Sequence, residues 1–223
     1  QSHALHFFHL SSPDLLFGFD SEAGQRNIVG VAAAYPEVAK QGVLLRKFGQ
    51  EVIRLTAGKR VHGTGAIPGG VNRALSRPER DRLLAEIESV ICWSRQAVQL
   101  VKRLHAADPA FYDGFGTFRS NLLSLVGADG ALDFYDGALR ARDADGKILV
   151  DAFAVSRYHE LIREEVKPWS YMKFPFLAAL GSQEGWYKVG PLARVQNCDS
   201  IPTPLAEIER REIIDHGHGE LIH

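Results

Sequence analysis

The hydrophobic period changes part-way along the chain, and this change limits the folds that the chain can adopt. Up to about residue 107, apolar residues recur every three or four positions, as in helices that bury one face. The next stretch, NLLSLVGADGALDFYDGALRARDADGKILVDAF, alternates short apolar runs with Asp-Gly turns, which indicates an antiparallel meander. The pattern predicts an α+β fold, dominated by helices, with a small antiparallel sheet of three or four strands inserted.

Start and stop signals place the helices. Ser76 and Glu79 form a capping box, and Gly58 offers a C-terminal cap. Pro13 bars its neighbour from helical geometry, which ends the first helix, and Pro168 ends the last one. The predicted helices cover residues 2–10, 35–57, 76–107 and 156–166.

We divide the chain into three segments on these patterns. Residues 1–107 form a helical core with a glycine-rich loop at 59–72, and residues 108–155 form the inserted meander. Residues 156–223 add a helix and then aromatic loops that return to the core. The first helix is already running at Gln1, and His223 follows no stop signal, so we expect both ends to lie inside a longer protein.

Composition excludes several classes of function. The 223 residues are 45% hydrophobic, and 26 basic residues balance 27 acidic ones, which disfavours binding to nucleic acid or to an anionic membrane. The apolar runs are too short to span a bilayer, so we expect a cytoplasmic protein. Cys92 and Cys198 are too far apart in sequence for a C-x-x-C pair, and we expect both to be buried.

Three histidines near the start, His3, His6 and His9, share a broad face of the first helix. They could pack in the core, ligate a metal or donate a hydrogen bond beside a metal that other residues hold. No H-E-x-x-H pattern or acidic partner completes a metal site. The residues alone favour packing.

Two further motifs carry chemistry. The loop KRVHGTGAIPGGVN, residues 59–72, places four glycines around His62, which suits either a long turn or a close approach of the backbone to a partner. It matches neither a Walker loop nor G-x-G-x-x-G. The stretch WSYMKFPFL surrounds Lys173 with aromatic residues. This lysine either extends along apolar surface to solvent or is held as a cation at a position where its charge has a functional role.

These motifs, together with LRKFGQEVI, VGPLARV and IPTPLAE, resemble successive blocks of the large subunit of nickel-iron hydrogenases, in particular the NAD-linked bidirectional cytoplasmic branch. The resemblance covers nearly the whole chain. It implies a nickel-iron centre held by four cysteine thiolates in R-x-C-G-x-C and D-P-C-x-x-C motifs. Neither motif is present here, so the chain resembles an internal fragment that is inactive and binds no metal or other cofactor by itself.

The resemblance also implies roles for individual residues. Ser2 stands where many respiratory members have an aspartate, and Ser2, His3 and Lys173 are expected to surround the metals without ligating them. His6 and His9 are expected to pack. His62 resembles a loop histidine that faces an iron-sulfur cluster of the small subunit, and glycines allow that approach. These glycines are Gly63, Gly65, Gly69 and Gly70.

The implied reaction is reversible oxidation of H2, with electrons leaving through an iron-sulfur small subunit toward a module that contains FMN and reduces NAD. The alternative is a metal-free scaffold related to the quinone-site subunit of complex I. A weaker alternative is an inert piece that is stable only as a dimer. Cysteine motifs on either side of this segment would decide for the enzyme.

Overall fold

A computed structural model describes residues 1–223, which form two compact units, Gln1–Gly114 and Phe115–His223. Helices dominate the first unit and most of the strands lie in the second. The class is therefore α+β, as the sequence predicts. The grouping into two units does not test the three-segment division of the sequence, which stays a prediction.

The first unit is helical apart from one very short hairpin. Its elements are α1 (Ser2–Leu5), a π-helix (His6–Ser11), α2 (Ser12–Phe17), α3 (Ile28–Ala34), α4 (Pro36–Ala57), β1 (Ala66–Ile67), β2 (Gly70–Val71), α5 (Arg77–Leu84), α6 (Ile87–Ala107) and α7 (Pro109–Gly114).

The second unit combines a four-stranded sheet with a separate hairpin. Its elements are β3 (Asn121–Val126), β4 (Ala138–Arg142), β5 (Ile148–Phe153), a 3₁₀ turn (Val155–Arg157), α8 (Tyr158–Leu161), β6 (Ile162–Val166), β7 (Lys173–Leu177), a second 3₁₀ turn (Ala178–Leu180), α9 (Gly181–Glu184), β8 (Tyr187–Lys188), α10 (Pro191–Asn197) and α11 (Pro204–His216).

The predicted end of the first helix at Pro13 is wrong. Helical structure continues from Ser2 to Phe17, with a π-helical segment at His6–Ser11 that ends two residues before Pro13. In an α-helix the ring of Pro13 would clash with the carbonyl of His9, four residues earlier. The wider π turn, with its i→i+5 pairing, avoids this clash, so the proline widens the helix instead of ending it.

The helix predicted over 35–57 is confirmed as α4, and Gly58 caps it in the left-handed region at φ 83°. The capping box of Ser76 with Glu79 is also present. The single helix predicted from this cap to residue 107 is wrong, however, because a turn at residues 85–86 divides it into α5 and α6. On α6, Trp93 and Leu100 are half-buried, whereas Ser94 and Val101 are exposed.

The predicted meander is confirmed in the second unit. Strands β3, β4 and β5 are consecutive antiparallel neighbours, and β8 adds a fourth strand parallel to β3. Asn121 holds this late strand in place, because its side-chain amide donates to the carbonyls of Glu184 and Trp186, each at 2.7 Å.

The helix predicted over 156–166 is wrong beyond its first turn. Only Tyr158–Leu161 is α-helical, and Ile162–Val166 is strand β6, which pairs antiparallel with β7. This pairing decides the conformation, since the backbone N–H and C=O groups of β6 find their partners on a segment about ten residues later.

Each unit has its own buried residues. Phe8, Val31, Leu55 and Ala57 are buried in the first unit. In the second, Leu123 and Ala141 of the sheet cluster with Leu161 and Leu177, which brings the hairpin onto the sheet. No helix of either unit is both long enough and apolar enough to cross a bilayer.

Candidate functional site

Helix α4 is the platform for the motifs that the sequence singles out in the first unit. The N-terminal helix lies against it in antiparallel orientation, with Gln1 beside Gly49 and Phe8 beside Gly42. A Cβ atom on Gly42 would lie 2.7 Å from Cγ of Phe8, and one on Gly49 would lie 2.7 Å from the backbone nitrogen of Gln1. The two glycines therefore let the backbones approach closely.

This packing decides which histidines reach solvent. Phe8 is only 3% exposed and carries the contact with α4. Ser2, His3 and His6 are exposed, and His9 is half-buried with Nδ1 3.4 Å from the carbonyl of Ala4. The expectation that His6 packs in the core is wrong, because Phe8 fills the place against α4.

The glycine-rich loop leaves the C-terminal end of the same helix, at Gly58. A Cβ atom on Gly63 would lie 2.7 Å from Cβ of Ala57 and 3.2 Å from the carbonyl oxygen of Lys59, so only glycine fits without a shift of the backbone. Pro68 and Gly69, with φ 87° at the glycine, form the turn between β1 and β2, as in a type II turn.

His62 stands out within this loop because its backbone is left-handed, at φ 51°, which is uncommon for a residue with a side chain. The loop is almost entirely exposed, including His62 and Gly70. The loop thus presents a histidine and open glycine backbone to solvent, which suits the close approach of a partner.

An ion-pair cluster fastens the loop to the platform. Glu51 of α4 accepts Nε of Arg54 at 2.9 Å and the Arg60 guanidinium at 3.0 Å, and a second Arg54 nitrogen donates to its other oxygen. The bond from Arg54, reinforced by Arg60, lowers the pKa of Glu51 to about 2 against the opposing effect of burial. Glu51 therefore stays ionised and holds the start of the loop.

The histidine segment and the loop lie at the same end of α4. Gln1, directly before Ser2 and His3, touches Gly49, and Gly63, directly after His62, touches Ala57. Positions 49 and 57 are eight residues apart, which is about 12 Å along a helix. Residues about 60 positions apart in sequence are thus brought to one region of the first unit.

Lys173 lies in the second unit, at the start of β7. Its Nζ is 3.1 Å from a carboxylate oxygen of Glu164 on β6, and both side chains are exposed. The sequence left open whether this lysine extends to solvent or places its charge at a site. In the structure the ammonium group lies at the surface and pairs with Glu164 across the hairpin. Trp169, four residues earlier, is 73% exposed and packs on Phe174 at 5.4 Å between ring centroids.

Sequence reasoning missed a second lysine with a more restricted environment. Lys188 donates to the carbonyl of Phe118 at 2.7 Å, and its Nζ lies 4.0 Å from the centroid of the Phe118 ring. Burial lowers the pKa of Lys188. The contact joins residues 70 apart, so no local pattern could have revealed it.

Glu207, in the IPTPLAE motif, was also missed. It accepts the backbone N–H of Ile201 at 2.7 Å and the guanidinium groups of Arg210 and Arg211 at 2.8 Å. The hydrogen bonds from these arginines hold the pKa of Glu207 well below its usual range. The i, i+3 and i, i+4 spacing of the arginines on α11 was the available signal.

The two cysteines differ in exposure to solvent. Cys198 is 3% exposed, and burial raises the pKa of its thiol. Cys92 is exposed on α6, so the expectation that both are buried is wrong for this residue. The apolar face of α6 includes Trp93 and leaves its neighbour at the surface.

Comparison with known proteins gives a consistent result. No protein-family model matches the chain. The beta subunit of the NAD-reducing hydrogenase HoxS of Cupriavidus necator is 41% identical over 213 residues, which is 93% of this chain and 43% of that protein. A solved structure of an NAD+-reducing NiFe-hydrogenase in the H2-reduced state matches all of this chain, with a TM-score of 0.93 and 49% identity, over 49% of its own chain. The chain is a homologue of hydrogenase subunits.

Other relatives are hydrogenases of a different kind. One subunit of the vhu F420-non-reducing hydrogenase of Methanocaldococcus jannaschii is also 41% identical, over 96% of this chain and 51% of that protein. The chain spans about half the length of the hydrogenase subunits that it matches. Equal identity to both relatives means that sequence similarity alone does not choose the electron acceptor.

Proposed function

We propose that this chain is part of the large, catalytic subunit of a nickel-iron hydrogenase that oxidises H2 reversibly to two protons and two electrons. The observation that carries this proposal is the match of the entire chain to a solved NiFe-hydrogenase at 49% identity and a TM-score of 0.93. Similarity to hydrogenases favours this activity over the scaffold related to complex I.

We further propose that the electrons pass through an iron-sulfur small subunit to a flavin module that reduces NAD in the cytoplasm. The solved structure that matches all of this chain is an NAD+-reducing enzyme, which supports this branch. The exposed His62 and the glycines around it are the surface proposed to face the nearest iron-sulfur cluster.

The residues of this chain do not fit the ligand set of a nickel-iron centre. The resemblance implies four thiolates, whereas the chain has two cysteines. Cys198 is buried at the end of α10 in the second unit, and Cys92 lies exposed on α6 in the first. Two cysteines cannot supply four thiolates, so we place the ligands outside this segment.

The proposed contribution of this chain is to the surroundings of the reaction. Ser2 and His3 are exposed beside the end of α4, where a hydroxyl and an imidazole can donate or accept hydrogen bonds. The Glu51 cluster and the close contact of Gly63 with α4 hold the loop that carries His62. For Lys173 we propose a supporting electrostatic role, since its charge is already paired with Glu164.

The proposed activity is tested on the full-length protein in two assays. H2-dependent reduction of a viologen dye measures H2 oxidation alone, and H2-dependent reduction of NAD+ measures the complete electron path. We expect both. Reduction of the dye without NAD+ reduction in the complete complex would contradict the NAD branch, and inactivity of nickel-loaded protein in both assays would contradict the enzyme.

The role of His3 is tested by His3→Ala in the same protein. We expect H2 oxidation to fall between about tenfold and a hundredfold, the range for a lost hydrogen-bonding neighbour of a metal site, with nickel content retained. His6→Ala is the matched control, because it removes an equally exposed imidazole one turn further along the helix. Loss of nickel, or equal effects of both substitutions, would count against a specific role.

A further inference from the structure

In the π-helical segment at His6–Ser11, i→i+5 pairing provides no backbone donor for one buried carbonyl. In the i→i+5 pattern, the carbonyl of Phe8 faces position 13, and Pro13 has no N–H. The hydroxyl of Ser12 donates to this carbonyl instead, at 2.7 Å. Ser12 is 1% exposed and Pro13 is buried, so water has little access to replace the bond.

The two halves of this N-terminal helix are anchored to different parts of the first unit. The part up to Phe8, which lies inside the π-helical segment, is held by the contacts of Gln1 and Phe8 with α4. The part after the π-helical segment is held by Asp14, whose carboxylate lies 3.5 Å from Nε of Arg26, and by the ring of Phe17, which packs edge-on against Tyr35 at 5.6 Å between centroids.

The π turn therefore sets the rotation of one half relative to the other. Each residue of a helix turns the chain by about 100°, so a turn that holds one more residue shifts every following side chain by that angle. With α pairing throughout, the two sets of contacts would no longer point to their partners at the same time.

We infer that Ser12 is a positioning residue, which locks the π turn at Pro13 and thereby keeps Ser2 and His3 on the exposed face beside the end of α4. The lock is a property of the fold, and only its effect on H2 oxidation rests on the proposed function. Ser12 itself is buried and acts through the helix that carries the exposed residues.

The first test is amide hydrogen exchange on the full-length protein. Ser12→Ala removes the group that donates a side-chain hydrogen bond to the Phe8 carbonyl, so exchange of the amides of residues 10–12 and 14 is expected to accelerate about tenfold. Ser11→Ala removes the neighbouring hydroxyl and leaves this bond intact. Identical exchange in the two variants would overturn the inference.

The second test is rescue. Pro13→Ala restores a backbone N–H opposite the Phe8 carbonyl, so the double variant Ser12→Ala/Pro13→Ala is expected to regain most of the lost protection. A misplaced group can lower turnover by up to about a hundredfold. H2-dependent dye reduction should therefore fall in Ser12→Ala and recover in the double variant.

The two readouts separate the two claims. A double variant that exchanges as fast as Ser12→Ala would overturn the lock. Protection that follows the expected pattern while dye reduction stays at the wild-type rate in every variant would overturn the positioning role. If the wild-type protein shows no H2 oxidation, the proposed function fails, and the exchange experiment still decides whether Ser12 locks the turn.

Discussion

Glu51 shows how one side chain can hold a loop in place. Its two carboxylate oxygens are shared between Arg54 on the same helix and Arg60 at the start of the glycine-rich loop. The bond to Arg60 crosses the helix cap at Gly58, where the chain turns away from α4. The loop is thus fastened by charge at its first residues and by the close contact of Gly63 with Ala57.

The stability of the first unit is expected to depend on pH through Glu51. Its pKa is about 2 in the folded protein, below the ordinary value of 4.5, so its contribution to stability is complete above about pH 4.5 and is lost as the pH falls toward 2. Urea unfolding between pH 6 and pH 2.5 should show a smaller acid-dependent loss in Glu51→Gln than in the wild type. Glu37→Gln, on the same helix, is the control, and an unchanged pH dependence in Glu51→Gln would contradict the contribution of this carboxylate.

At the scale of elements, the crossing of the N-terminal helix over α4 depends on glycine. Phe8 fills the notch that Gly42 leaves, and Gln1 fills a second notch at Gly49, seven residues away. A spacing of seven residues returns to nearly the same side of a helix, so both notches open toward one neighbour. The histidine segment is held by this contact, although none of its histidines is buried.

Gly42→Ala is expected to lower the free energy of unfolding by about 1–3 kcal/mol, because the added methyl group overpacks the contact with Phe8. Gly114→Ala is the matched control, since this helical glycine has open space around it and alanine raises helix propensity there by up to about 1 kcal/mol. Denaturant unfolding should therefore show a lower free energy of unfolding for Gly42→Ala and a higher one for Gly114→Ala. A stabilising effect at both positions would show that the notch accommodates a methyl group.

At the scale of the whole molecule, each unit has its own polar network, and that of the second unit is centred on Arg140. Its buried guanidinium donates to both oxygens of Asp151, at 2.9 and 3.0 Å, and to Asp199 at 2.9 Å. Asn197, fully buried, donates to the carbonyl of Arg140 at 2.8 Å. The network joins β4 and β5 to the end of α10 within one unit.

Arg140→Met is expected to destabilise the second unit by about 1–3 kcal/mol, because the carbonyl of Asn197 loses a donor while the half-exposed carboxylates of Asp151 and Asp199 regain water. Amide exchange should accelerate in Phe115–His223 and stay unchanged in Gln1–Gly114. Arg163→Met, on the exposed side of β6, is the control. Equal acceleration in both units would contradict independent networks.

Local signals in the sequence predicted much of this fold. The capping box of Ser76 with Glu79, the cap at Gly58 and the Asp-Gly turns of the meander each act within a few residues, and all three are present. Ser2, His3 and the glycine-rich loop were also singled out from the sequence. Their roles rested on a resemblance, because periodicity and spacing alone favoured packing or a long turn.

Amino-acid order by itself determined where α4 ends, where α5 starts and where the meander turns, since these depend on neighbours along the chain. Tertiary structure alone decided that Pro13 widens a helix, that Ile162–Val166 is a strand and that His6 faces solvent. Each of these outcomes depends on a partner distant in sequence: α4 for the histidines, Tyr35 for the far side of the π turn, and β7 for β6. The physical reason is that a hydrogen bond or a packed contact with a distant segment outweighs a local preference of about 1 kcal/mol per residue or less.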